Sequence, residues 1–229
     1  MAVLSTVIIG GIAAAVCFGA ITNYRQRARR EAFIRAFMFP RGVFEKFHKT
    51  RPTLELKDQQ LVARALRQFF LVYLKSGCKR VAMPSQVADD LWHEFILFTR
   101  KYKAFCDQAF GQFLHHTPAV KLGAVKSDNE GLRRVWWFSC IEENINPRKA
   151  TRLPLLFAID KKLGIAGGFV YDLDCRRAPR DVAQGGAGGG QCAEAFGDSS
   201  VDGSTDGFGC SSGGSGGDGS GCGGGCGGD

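Results

Sequence analysis

Val87, Leu91, Phe95, Phe98, Tyr102 and Phe105 recur at three- and four-residue intervals, drawing one apolar seam along a helix. Trp92 and Ile96 make a second side of that helix apolar. A helix with more than one apolar side belongs in the middle of a bundle, not on its rim. Pro84-Ser85 opens the segment, with Ser85 as the expected N-cap. The spacing predicts one central helix from there to about Phe105.

The flanking sequence is helical too. Ala32, Phe33, Ala36 and Phe37 mark a helix over Ala28–Phe39 that Pro40 ends. Val43–His48 is a short element. Leu54–Lys75 carries Leu61, Ala65, Leu66, Phe69, Phe70, Tyr73 and Leu74 on a broad face, and Gly77 is its stop. Leu132–Asn144 contains Trp136, Trp137, Phe138 and Ile141, and Leu155–Leu163 ends at Gly164. Only Val170–Leu173 suggests a short extended piece. The expected fold class is all-α: a helical bundle over residues 23–182, preceded by one transmembrane helix and followed by a disordered Gly-rich tail.

The transmembrane expectation rests on Ala2 to Thr22, an uncharged run of 21 residues, long enough to cross a bilayer as a helix. Arg25, Arg27, Arg29 and Arg30 follow it, and no basic side chain precedes it. The positive-inside rule then leaves the N-terminus outside and the rest cytoplasmic, as a single-pass anchor in an inner or plasma membrane. A cleaved signal peptide would need a positive N-terminal region, which Met1 to Thr6 lack. Gly11, Ala15 and Gly19, four apart, would permit self-association through one helix face.

Charge is unevenly distributed. Residues 23–182 hold all 30 Lys and Arg and 16 of the 22 acids, a net charge of +14, whereas residues 183–229 carry −6. A basic body fits an acidic partner, anionic lipid head groups or nucleic acid. Nine cysteines at irregular spacings do not indicate a disulfide framework.

Within the central helix, Asp89 and His93 lie one turn apart, about 40° around the axis. The apolar surroundings place His93 indoors, where a polar ring needs a partner. Three readings stand. His93 is a core histidine held by Asp89 and packed on Trp92. Alternatively, it binds a metal such as zinc together with Asp89, Cys106, His115 or His116. In the third, His93 and Cys106 form a base and nucleophile. Cys106 falls about 140° away from His93 on an unbroken helix, so convergence needs a break or a second chain. Gly111 could reverse the chain and return His115 or His116.

Asp89-x-x-Trp92-His93, Tyr102-x-x-Phe105-Cys106, Gly111 and His115-His116 together resemble the glycine-rich domain-containing protein-like family, over roughly Phe39 to Pro118. The resemblance implies the helical fold more than an activity, and some plant relatives are associated with nucleic acid. Family members often carry a second histidine two positions after the first; here that residue is Phe95. No RNA-binding aromatic-sheet signature accompanies it.

From Gly185 onward, 20 of 45 residues are glycine. Such a segment buries too little apolar surface to fold alone. Cys222 and Cys226 near its end are a candidate soft-metal or redox pair, against the alternative of free thiols in a flexible tail. The functional expectation is a non-enzymatic interaction or scaffold module at a membrane, with a metal-binding domain centred on His93, hydrolytic if it is catalytic, and a nucleic-acid-binding domain as alternatives.

Overall fold

The computed structural model describes residues 2–116, 126–173, 191–193 and 196, without the side chains of residues 2–10, 12, 126–129, 191 and 192. The described chain is predominantly helical. Its elements are α1 (Ala2–Ala36), α2 (Arg41–Thr50), α3 (Leu56–Lys75), α4 (Gln86–Leu97), α5 (Thr99–Ala109), α6 (Lys126–Glu142) and α7 (Leu155–Lys162), with β1 (Tyr171–Asp172) pairing in parallel with β2 (Gln191–Cys192).

The expected membrane anchor is not supported. Among the described residues no helix is long and apolar enough to cross a membrane, which overturns the single-pass topology and its localisation. The apolar run does not form an element of its own. It continues without a break into the charged stretch from Arg25 to Arg35, and this second half of α1 packs against α3 and α5. Ile34 is fully buried there. Gly11 and Gly19, the small residues of the expected self-association face, have open space beside them.

α3 is the hub, packed against α1, α4, α6 and α7. Its ends are set locally. At its start, the Glu55 N–H donates to the Asp58 carboxylate at 3.1 Å. At its end, Gly77 adopts φ +72°, with Gly77 N–H bonded to Leu74 O and Cys78 N–H to Tyr73 O, the paired closure of a Schellman motif. Asn144 (φ +56°) closes α6 by the same bonds to Ile141 and Cys140.

The predicted single central helix is two helices. Phe98, at ψ 58°, breaks it between α4 and α5. No glycine or proline marks the spot. The Phe98 ring packs where a Cβ on Gly42 would stand, 3.0 Å away, and Lys46 lies over its face. The bend turns α5 toward α1, so Phe105 meets Phe33, Phe37, Phe70 and Phe95. This aromatic cluster fills the centre of the bundle.

The start of α4 is anchored from afar. Ser85 accepts from Ala88 N–H at 3.1 Å, as its N-cap position predicts. The buried carboxylate of Asp160, on α7, accepts from Ser85 Oγ (2.7 Å), Gln86 N–H (2.7 Å), Val87 N–H (3.2 Å) and Phe169 N–H (2.8 Å). A negative charge at a helix N-terminus meets free N–H groups and the positive end of the helix dipole together.

A second polar joint sits at the end of α6. Lys75 Nζ lies 2.6 Å from the Glu142 carboxylate, and Arg35 pairs with the same group. Burial alone would raise the Glu142 carboxyl, but hydrogen bonds from Arg35 and Lys75 outweigh it and hold the group below its ordinary value. A depressed carboxyl contributes stability above the unfolded-state pKa and loses it as pH falls through the folded-state value. Glu142→Gln should therefore lower stability at neutral pH by about 1 kcal/mol, a value discounted for the half-exposed Arg35. The gap from wild type should close on acidification from about pH 5 toward pH 3. Thermal melts across that range check it; a gap constant with pH contradicts the pairing.

The folded domain runs past residue 182. Ala193 and Phe196 are buried, and Phe196 stacks on Trp136 and meets Phe157 and Tyr171. The remainder of the expected tail, with Cys222 and Cys226, lies outside the described residues.

Candidate functional site

α4 presents Asp89 one turn before Trp92 and His93, and the chain after α5 is folded back over them. The reversal happens at Gly111, whose φ of +75° lets its N–H cap the Asp107 carbonyl at 3.0 Å. His116 then reaches Asp89, with Nε2 2.9 Å from Oδ1. Its ring stands edge-on to Trp92, centroids 4.7 Å apart.

A second tie lies deeper. Trp92 Nε1–H donates to Tyr102 Oη at 3.2 Å, and the Tyr102 hydroxyl donates to Leu114 O at 2.6 Å. Both side chains are almost completely buried, so each polar end needs such a partner. Burial drives the Tyr102 phenol above its ordinary value.

The candidate ligands are thus divided. Asp89, His93 and His116 gather on one side, with the His93 and His116 rings 5.4 Å apart. His93 is exposed, however, and Asp89 is paired with His116. This corrects the expectation of an indoor His93. Helix periodicity placed the two residues correctly around α4, but the returning segment determines which side chain is covered. His115 is exposed and rests on Phe113, ring centroids 4.9 Å apart.

Cys106 is fully buried, away from this surface. Burial pushes its thiol above the ordinary value, against the weaker pull of the neighbouring Leu114 backbone and Tyr102 side chain. A thiol held protonated is a poor nucleophile and a poor metal ligand. Among the described residues no group of three or more His, Cys, Asp or Glu side chains is placed to hold a metal ion. Phe95, where the resemblance led to expect a second histidine, is a core residue against Phe37, Phe39 and Tyr102.

Two participants escaped the sequence reading. The Leu114 carbonyl is a backbone group and leaves no residue-type signal. Asp160 did leave one: a lone acid after Leu155-Leu156-Phe157-Ala158-Ile159 needs an indoor partner.

The family model described as UCP032817-like matches residues 29–196. That span begins after the apolar run and ends on Phe196, the last described core residue. No curated protein and no solved structure matches the chain.

Proposed function

The chain belongs to the UCP032817-like family, and we propose that its helical domain is a non-enzymatic interaction module for an acidic protein partner. One observation carries this reading. Two polar ends of the Asp-x-x-Trp-His motif are engaged within the fold, Asp89 with His116 and Trp92 with Tyr102, and His93 stays exposed, while the large excess of positive charge lies elsewhere. The motif therefore works as a latch, tying residues 111–116 to α4. Exposed cations are available for binding on α2 (Arg41, Lys46, Lys49) and α5 (Arg100, Lys101). Likeness to the glycine-rich domain-containing protein-like family belongs to the same proposal, with the latch as the shared element.

Titration of the full chain with a polyglutamate peptide tests the module. Binding should be saturable and should weaken by about tenfold or more between low and physiological salt. Zinc analysis and titration with duplex DNA run beside it. Stoichiometric zinc that disappears in His93→Ala would replace this reading with a metal site at His93 and His116. Tighter binding to DNA than to the peptide would replace it with a nucleic-acid domain.

A further inference from the structure

A cleft of about 330 Å³ opens between α1, α3, α6 and α7, lined by Arg35, Arg64, Arg67, Gln68, Glu142, Glu143 and the apolar Leu71 and Leu155. Its charges are not balanced. Glu142 is taken by Arg35 and Lys75. Glu143 is taken by Arg152, by Gln68 Nε2 at 2.9 Å and by the Leu155 N–H at 2.6 Å. What remains is Arg64 and Arg67. They are three residues apart on α3 and so share a helix face. Among the described residues neither is paired with a carboxylate. Arg67 is half-buried, with Nη1 donating to Phe37 O at 3.0 Å and its guanidinium 6.0 Å over the Phe39 ring. Those contacts fix its position without neutralising it. Burial, and next the charge of Arg64, pull Arg67 below its ordinary value, the signature of a cation lacking a counter-charge.

We infer that this cleft binds a small organic anion, its oxyanion head between Arg64 and Arg67 and its uncharged body on Leu71 and Leu155. A guanidinium fork carries two parallel N–H donors, which match a carboxylate or a phosphate better than a lysine would. The cleft volume fits a body of small-metabolite size. An anion there also relieves the Arg64–Arg67 repulsion, so binding stabilises the fold. The site is separate from the cations on α2 and α5 and does not depend on the polyanion reading.

Phenyl phosphate and benzoate share one body and differ in the head, so titrating the full chain with each by NMR separates the two oxyanions. Saturable binding of at least one is expected, with shifts confined to the cleft. Arg64→Gln with Arg67→Gln should weaken it about tenfold or more, and the exposed Arg64→Gln alone should weaken it several-fold without disturbing the fold. Arg100→Gln with Lys101→Gln removes the same charge from α5 and should leave affinity within about twofold. Failure of both probes to bind overturns the inference. So does equal weakening by the α5 pair, or no change in Arg64→Gln.

Discussion

Asp160→Ala should cost about 3–5 kcal/mol, a large share of the stability of a domain this size. The carboxylate carries four hydrogen bonds at 2.7–3.2 Å, three of them from backbone N–H groups. Its removal takes this acceptor away from Ser85 Oγ and from the Gln86, Val87 and Phe169 N–H groups, and each buried donor left unsatisfied costs about 1–3 kcal/mol. Water cannot readily replace it, since Asp160 is 3% exposed. Asp160→Asn tests the role of charge. The amide keeps one acceptor oxygen but turns an NH2 toward donors, so it should recover only a minor part of the loss. Urea unfolding of the three proteins measures this. A deficit under about 1 kcal/mol for the alanine variant would mean α4 is held by its apolar packing alone.

Trp92→Ala should cost about as much, 3–5 kcal/mol as a rough figure for a buried aromatic truncated in a core. The indole packs on Phe69 and Phe70, with centroids 5.1 and 6.1 Å away, and its loss opens a cavity between α3 and α4. The same truncation removes the donor to Tyr102 and the edge contact to His116, so the latch loosens as well. Trp92→Phe keeps most of the apolar volume and loses the N–H. It should cost about 1–2 kcal/mol, because Tyr102 keeps its own bond to Leu114 O. Hydrogen exchange at residues 111–116 supplies an independent reading. Exchange there should accelerate in both variants before the rest of the domain responds. Uniform acceleration across all helices would show that Trp92 acts on global stability and not through the latch.

Most helices of the body were legible because their signals are local. The aromatic spacing in α3, the serine before α4 and the glycines after α3 and α7 act within a few residues of themselves. The break at Phe98 was not legible. Its cause is the fit of one ring against Gly42, on a different helix. The extent of α1 was misread for a similar reason. An uncharged run looks like a bilayer span until it is seen continuing into a helix whose Phe33 and Ile34 pack in the bundle. Phe196 sits in sequence too glycine-rich to fold alone, yet it is held by three aromatic rings from α6, α7 and β1.

The candidate site divides along the same line. That Asp89, Trp92 and His93 share one region of a helix, and that Gly111 permits a reversal, can be read from the residues alone. Those are consequences of helical pitch and of a residue without a Cβ. The packing of the whole bundle brings His116, 27 residues away, onto Asp89, turns His93 outward and seals Cys106 behind Tyr102. Burial depends on which distant segment covers a surface, and that is set by the packing of the whole bundle. The Arg64–Arg67 cleft has the same origin. Two arginines three apart on a helix are ordinary in a sequence, and they become a site only once the nearby glutamates are taken by other cations.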